Sequence, residues 1–242
     1  LCTEYYDLDK PNPPEDAFAF YAKYAQNASG PILEPMCGTG RFLLPLLEMG
    51  FDIAGFDASQ FMLNELNKKS SRLGIKPLVW QGFFQDLDNS IKYNLIFIPS
   101  GSFGLITNLE EVKTILKIAY NHLSQDGIFV FEAETTSSEP PLCNIWNGKI
   151  QERPDGKIIM LNTLTLPLQN NIITTFCKYE LIDEHTIIQT EIEKLQVRVY
   201  KPNELCSLIK EAGFKSVQMI KTFVSGAKPN TDDKVIVYEC RK

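Results

Sequence analysis

The sequence predicts an α/β protein with a doubly wound, mostly parallel seven-stranded sheet and an antiparallel β insert before the last helix. Three observations support this fold class. Residues 31–134 alternate short apolar runs with helical patterns joined by short connections, which is typical of a parallel sheet covered by helices on both faces. From about residue 145 to 200 the helical period disappears, and apolar and polar residues alternate as in antiparallel strands. With 242 residues, 44% of them hydrophobic, the chain can bury one full core.

We expect one main α/β domain with two additions. The main domain would comprise residues 31–144 and 201–242, and residues 145–200 would form the antiparallel insert. Residues 1–30 would form an N-terminal lid or helical segment, with a tyrosine pair followed by an amphipathic helix.

The most informative segment is residues 31–59, which predicts a strand, a glycine turn, a helix and a second strand. Gly38 and Gly40 allow the chain to turn tightly beside a ligand, because neither carries a Cβ. The second predicted strand ends at Asp57, roughly 20 residues past the turn, which is the separation expected in one βαβ unit. This layout predicts a nucleotide site in which Asp57 accepts the ribose hydroxyls. A tight turn without a ligand, with Asp57 acting as a helix cap alongside Ser59, is the structural alternative.

The spacing of the glycines separates two classes of cofactor. A dinucleotide fingerprint requires three glycines as G-x-G-x-x-G, and Leu43 occupies the third position here. Nicotinamide and flavin cofactors are therefore disfavoured.

Residues Glu34-Pro-Met-Cys-Gly38-Thr-Gly40 resemble the first motif of the class I S-adenosylmethionine-dependent methyltransferases, small-molecule type. The resemblance implies that Glu34 holds the methionine amino group through water or backbone and that the turn backs the methionine and ribose. Met36 stands where the family usually has a smaller residue. With the neighbouring segments, the resemblance implies S-adenosylmethionine as the cofactor and the following binding residues: Glu34, Met36, Cys37, Gly38, Gly40, Asp57, Ala58, Met62, Gln81, Phe83, Phe84, Pro99 and Ser100.

The adenine contacts depart most from the family pattern. Phe83 occupies the position where the family often has an aspartate for the adenine amino group. We expect Asp86 or Gln81 to take over that contact.

The reaction itself requires mainly alignment of the acceptor with the sulfonium methyl group, and a base only if the nucleophile is protonated. Glu132 and Glu134 end the fifth predicted strand, at the sheet edge where ligands bind, and are candidates to hold a cationic amine. Tyr6, with Tyr5, is a candidate for a lid over the cofactor. The alternatives are that Glu134 starts a loop and that the tyrosines only pack the N-terminal segment.

The antiparallel insert resembles that of small-molecule N-methyltransferases of the glycine and amino-sugar type. This resemblance implies that the insert covers the substrate pocket or forms a homodimer. An insert that serves oligomerisation alone is the alternative.

Composition restricts the partners. A net charge of −6 and scattered lysines argue against a nucleic-acid partner, which requires clustered basic residues. The six cysteines include no Cys-x-x-Cys pair, and with two histidines they predict no metal site. The sequence contains no apolar run long enough to span a membrane and no secretory leader, so we expect no membrane partner and a cytoplasmic location.

The sequence thus predicts a methyltransferase that acts on a small molecule, with an amine acceptor favoured over a hydroxyl. The alternative is a non-catalytic protein of the same fold that binds the cofactor or a partner. An aminopropyl transferase is disfavoured, because the sequence lacks the acidic cluster that a polyamine would require.

Overall fold

The computed structural model describes residues 1–138 and 143–242. The α-helices are α1 (Cys2–Asp9), α2 (Glu15–Asn27), α3 (Leu43–Glu48), α4 (Gln60–Leu73), α5 (Leu109–His122) and α6 (Pro202–Glu211). The strands are β1 (Ile32–Pro35), β2 (Ile53–Asp57), β3 (Leu78–Gln81), β4 (Tyr93–Ile98), β5 (Leu123–Glu134), β6 (Trp146–Glu152), β7 (Ile158–Thr165), β8 (Ile172–Asp183), β9 (Thr186–Arg198), β10 (Ser216–Lys221) and β11 (Val235–Arg241).

Seven strands form the main sheet in the order β10–β11–β5–β4–β1–β2–β3. Strands β1 to β5 pair in parallel, and β11 and β10 add an antiparallel edge. From β1 the chain continues to β2 and β3 on one side of the sheet, and from β4 it continues to β5 on the other side. Open α/β sheets bind ligands at such a switch point, beyond the carboxyl ends of the strands. The predicted fold class is confirmed.

Helices cover both faces of this sheet because successive side chains of each strand point to opposite faces. On one face α2, α3 and α4 bury residues such as Tyr21 and Leu66 in one cluster that includes Phe97 of β4. On the other face α5 and α6 pack against residues that include Phe129 and Phe131. The carboxyl ends of β1, β2, β4 and β5 therefore meet at one edge between two packed layers.

Strands β6 to β9 form a separate four-stranded antiparallel meander. Its face that carries Cys177 and Tyr179 packs against Tyr5 of α1, whose ring centroid lies 5.8 Å from that of Tyr179. Val197 lies on the same face. It packs so closely against Gly104, in the 3-10 helix Ser102–Leu105, that a Cβ on Gly104 would be 2.7 Å from its Cγ1 atom. The meander thus contacts both α1 and the segment that follows β4.

Two elements differ from the sequence expectation. Residues Cys2–Asp9 form a helix of their own, where the sequence indicated only a tyrosine pair ahead of the amphipathic helix. Strand β5 begins directly after α5, at Leu123, without the turn that the glycine at position 127 indicates in the sequence, because Leu123 pairs with Tyr93 before an irregularity in the β4–β5 register.

Candidate functional site

The glycine turn follows β1 directly. Met36, Gly38 and Gly40 all have left-handed backbones, with φ of 58°, 54° and 78°. A Cβ at Gly40 would lie 2.9 Å from the Cγ atoms of Leu44 and Leu66, whereas a Cβ at Gly38 would meet no atom within 4 Å. Gly40 is therefore required by packing, and the space beside Gly38 is open to a ligand. At Met36 a residue with a side chain holds a conformation that favours glycine, and such strain is common at binding sites.

Asp57 joins the ends of β1 and β2. Its Oδ2 accepts a hydrogen bond of 2.8 Å from the Gly38 N–H, and its Oδ1 accepts one of 2.8 Å from the Ser59 N–H. Burial raises the pKa of Asp57, and these two backbone hydrogen bonds oppose the rise. A carboxylate has about four acceptor positions, so Asp57 retains capacity for two ribose hydroxyls. Ser59, and not Asp57, caps α4 by accepting a hydrogen bond from the Met62 N–H.

Glu34 carries a buried carboxyl group at the end of β1. Its exposed fraction is 2%, and no partner among the described residues reaches its Oε2. Burial, with a smaller contribution from the charge of Asp57, raises the pKa of Glu34 well above the ordinary value. An unpaired buried carboxyl group destabilises a protein, and a cationic ligand would relieve that cost. The site therefore fits the amino group of S-adenosylmethionine.

Glu132 is hydrogen-bonded within the protein. Its Oε1 accepts a hydrogen bond of 2.9 Å from the Tyr21 hydroxyl and another of 2.9 Å from the Ser100 N–H. Ser100 and Gly101 have φ of 61° and 69°, so Glu132 holds the loop after β4 in a left-handed turn. Burial raises the pKa of Glu132, while these two donors lower it. Both donors to Glu132 thus lie within the protein, and one of them belongs to the loop after β4.

Glu134 differs from Glu132 in its surroundings. It is half-buried at the carboxyl end of β5, and its Oε1 lies 3.9 Å from the position of a Cβ at Gly101. Among the residues that the structure describes, no hydrogen-bond donor or cation pairs with its carboxyl group. Burial alone raises the pKa of Glu134. Its carboxylate is therefore available to a ligand beside the loop after β4.

A cavity of about 180 Å³ lies on the α5 side of the turn. Four of the predicted cofactor residues line it: Met36, Ala58, Phe83 and Phe84. Phe83 is 59% exposed, whereas Phe84 is buried and packs edge-on against Phe56 with ring centroids 5.2 Å apart. The cavity is smaller than the roughly 300–1,000 Å³ of a typical whole-ligand site, so it suits one end of a ligand.

Gln81 and Asp86, which were expected to contact the adenine amino group, each form a hydrogen bond within the protein. The Gln81 side-chain amide donates a hydrogen bond of 3.0 Å to the Ala58 carbonyl. Asp86 accepts one of 2.8 Å from the Phe83 N–H. Neither side chain lines the cavity.

The remaining predicted residues lie around this edge with different exposure. The Cys37 side chain is buried under the turn, and Pro99 is buried at the end of β4. Met62 is half-buried in the first turn of α4. Tyr6 is half-buried on α1, and the Lys10 Nζ lies 5.4 Å from its ring centroid.

The contacts that place α1 over the turn were not predicted from the sequence. Asp7 Oδ1 accepts a hydrogen bond of 2.7 Å from the Thr39 hydroxyl and forms a 2.7 Å ion pair with Lys69. Tyr21 was also missed as a partner of Glu132, because its spacing on α2 predicted only a core residue. The charge pattern of α1 offered a weak signal for the first contact, and the sequence offered none for the second.

Other features lie apart from this edge. A cavity of about 440 Å³ opens near the starts of β4 and β5, at the opposite end of the strands. Within residues 1–138 and 143–242, no cluster of three or more His, Cys, Asp or Glu residues is arranged to hold a metal ion. No helix in the same ranges has the length and apolar character needed to cross a membrane.

Comparisons with known proteins identify the fold and the domain. Residues 32–127 match the family model of the methyltransferase domain. A protein of Geobacillus sp. (strain WCH70), named "Putative methyltransferase GWCH70_2453", is 24% identical over 96% of this chain and 94% of its own.

Two solved structures share the architecture. An S-adenosylmethionine-dependent methyltransferase from Clostridium acetobutylicum ATCC 824 has a TM-score of 0.80 and 19% identity, over 99% of this chain and 96% of that one. The sugar N-methyltransferase KedS8 from Streptoalloteichus sp ATCC 53650 has a TM-score of 0.72 and 16% identity, over 93% and 88% of the two chains. These matches confirm the predicted methyltransferase domain and its fold, and they support the prediction that the cofactor is S-adenosylmethionine.

Proposed function

We propose that this methyltransferase transfers a methyl group from S-adenosylmethionine to the amine of a polar small molecule. The observation that carries this proposal is Glu134, a half-buried carboxyl group at the ligand-binding edge of the sheet without a partner among the described residues. A carboxylate in that position suits a cationic amine better than a neutral hydroxyl, because its hydrogen bond to an ammonium is charge-assisted.

Cofactor binding would use the residues around the glycine turn. The Glu34 carboxylate would bind the amino group, and Asp57 would accept the ribose hydroxyls while it holds the Gly38 and Ser59 N–H groups. The adenine would enter the cavity lined by Ala58 and Phe83. Bound S-adenosylmethionine supplies a methyl group on a positively charged sulfur, and such transfer depends mainly on alignment.

The chain's own residues would then prepare the acceptor. Glu134 would bind the amine in its ammonium form and take up one proton, which frees the nitrogen lone pair. Burial favours the protonated form of Glu134 and so makes it a stronger base than an exposed carboxylate. Glu132 would keep the loop at Ser100 fixed through its hydrogen bond of 2.9 Å.

The antiparallel sheet supports a polar acceptor. We propose that residues 145–200 cover the acceptor site and residues 1–30 close over the cofactor. Thr163, Thr165 and Thr175 lie on the sheet face that packs against α1. Hydroxyl groups suit an acceptor with several polar groups, such as an amino sugar, and KedS8 is named as a sugar N-methyltransferase.

The opposite face of the antiparallel sheet supports a second copy as the partner. Trp146, Ile150 and Ile192 lie on this face, and each is more than half exposed. We propose a homodimer through this face, since large exposed apolar side chains mark interaction surfaces. The net charge of −6 supports the absence of a nucleic-acid partner, and the buried cysteines Cys37, Cys177 and Cys240 support a reducing, cytoplasmic location.

Methyl-transfer assays with matched acceptors would test the proposal. Amino sugars and amino acids would be compared with the corresponding hydroxyl compounds, in the wild type and in Glu134→Gln. We expect methylation of an amine, with kcat/KM about 10- to 100-fold lower in the variant because one charge-assisted hydrogen bond is lost. Methylation of hydroxyl acceptors at equal rates in both proteins would contradict it. Tight cofactor binding without turnover of any acceptor would favour the non-catalytic alternative.

A further inference from the structure

The adenine end of the proposed cofactor site lacks the aspartate that its family often provides, because Phe83 stands in that place. Phe83 is apolar and cannot accept a hydrogen bond from an amino group. The side chains of Gln81 and Asp86 are held by Ala58 and by the Phe83 backbone. Neither side chain lines the 180 Å³ cavity, so an acceptor for the adenine amino group in that cavity has to come from the residues that line it.

The lining of the 180 Å³ cavity contains one carboxylate, that of Glu111. Glu111 lies in the first turn of α5, four residues before Ile115, which lines the same cavity and is 3% exposed. Residues four apart lie on the same helix face, so Glu111 and Ile115 both face the cavity, with Glu111 exposed and Ile115 buried. The cap of α5 fixes the backbone of this first turn, because the Asn108 side chain accepts hydrogen bonds from the Glu110 and Glu111 N–H groups.

We propose that Glu111 accepts the hydrogen bond of the adenine amino group and thereby sets the preference for adenine over other purines. This inference rests on the proposed placement of the cofactor. A carboxylate accepts hydrogen bonds and donates none, so it matches the amino group of adenine and repels the carbonyl oxygen of hypoxanthine. Phe83 and Met36 would supply apolar contacts to the purine ring, and Glu111 would distinguish an amino group from a carbonyl oxygen on it.

Calorimetric titration with two ligands tests the assignment. The ligands are S-adenosylhomocysteine and S-inosylhomocysteine, which differ in the amino group of the purine. We expect the wild type to bind S-adenosylhomocysteine at least about 10-fold more tightly. In Glu111→Ala the preference should fall to about two-fold or less, through weaker binding of the adenine ligand.

Glu110→Ala is the matched control. Glu110 is also in the first turn of α5 and carries the same charge, but it pairs with Lys113 at 2.7 Å and does not line the cavity. Both substitutions remove one negative charge near the helix N-terminus, so any effect of helix stability or long-range charge is common to them. Only Glu111→Ala should change the ratio of the two affinities.

Three results would overturn the assignment. If the wild type binds both ligands equally well, or if Glu111→Ala keeps the wild-type preference, Glu111 does not select the purine. Either result would leave the proposed cofactor site in place. A wild type that binds neither ligand would overturn the cofactor placement, and with it the proposed function.

Discussion

The proposed cofactor region and the proposed acceptor region of this protein are built in different ways. The cofactor region comprises the ends of β1 and β2 with the glycine turn, and its central hydrogen bond joins Gly38 to Asp57, 19 residues apart. The acceptor region comprises the ends of β4 and β5 with the loop at Ser100, and one of its hydrogen bonds joins Tyr21 to Glu132, 111 residues apart. The first region follows from one local βαβ unit, whereas the second requires segments that meet only after the whole sheet has formed.

The difference also extends to charge. In the cofactor region a buried carboxyl group, Glu34, lacks a partner for one oxygen among the described residues, so the ligand-free protein carries an electrostatic cost there. In the acceptor region Glu132 is satisfied within the protein and Glu134 is left half-exposed. The cofactor region therefore gains most from its ligand, and the acceptor region is preformed.

The largest expected effect is that of Glu34→Gln on cofactor affinity. Removing one partner of a buried ion pair costs about 2–5 kcal/mol, so S-adenosylmethionine should bind roughly 30- to 4,000-fold more weakly by calorimetry. Glu180→Gln is a suitable control, because Glu180 is a buried carboxylate of the antiparallel sheet and should leave the affinity unchanged. Unchanged affinity in Glu34→Gln would remove Glu34 from the site.

Glu34→Gln should also stabilise the cofactor-free protein above neutral pH. Because the folded state raises the pKa of this carboxyl group, its contribution to stability is complete at low pH and is lost as the pH rises through the folded-state pKa. The neutral amide avoids that loss. We expect the melting temperature at pH 8 to rise by about 2–4 °C, the equivalent of about 1 kcal/mol for a chain of this size, and a fall would contradict the account.

Asp57→Ala should have the second largest effect on binding. It removes the proposed ribose acceptor and frees the Gly38 and Ser59 N–H groups, so we expect a loss of about 1.5–3 kcal/mol, or roughly 10- to 150-fold in affinity. Asp52→Ala, at the exposed start of the same strand segment, should not change the affinity. Equal affinities of both variants for S-adenosylhomocysteine would show that Asp57 does not bind the ribose.

Glu134 should define the acidic limb of the pH profile for amine methylation. Since burial raises its pKa, kcat/KM should begin to fall, as the pH is lowered, at a higher pH than the ordinary glutamate value of about 4.3 would give. Glu134→Gln should remove this limb and leave the alkaline limb of the amine. Retention of the acidic limb in the variant would assign it to another group.

The smallest expected effect is a difference in kcat between substitutions of two tyrosines of α2. Tyr21→Phe removes the hydrogen bond to Glu132, and Tyr24→Phe removes one of 2.6 Å to Glu239 at the other end of the sheet. Both should destabilise the protein by about 1–2 kcal/mol in denaturant titrations. Only Tyr21→Phe should lower kcat, because only Glu132 also holds Ser100, and an equal kcat for the two variants would contradict that positioning role.

The glycine turn and the strand that ends at Asp57 could be predicted from the sequence because local rules determine them. Gly38, Gly40 and Asp57 occupy one βαβ unit, and their spacing is readable without knowledge of distant residues. The alternation of apolar residues likewise predicted the antiparallel sheet. The contact of Asp7 with Thr39 and Lys69 was not predictable, because it depends on where α1 settles on the finished domain. The hydrogen bonds of the Gln81 and Asp86 side chains were not predictable for the same reason, since their partners are backbone atoms of loops.

Parallel titrations of Glu34→Gln and Glu134→Gln with S-adenosylhomocysteine test most directly whether the two regions have separate functions. The account predicts at least about 30-fold weaker binding for Glu34→Gln and an affinity within about two-fold of the wild type for Glu134→Gln. Comparable losses in both variants would contradict it, because the carboxylate assigned to the acceptor would then belong to the cofactor site.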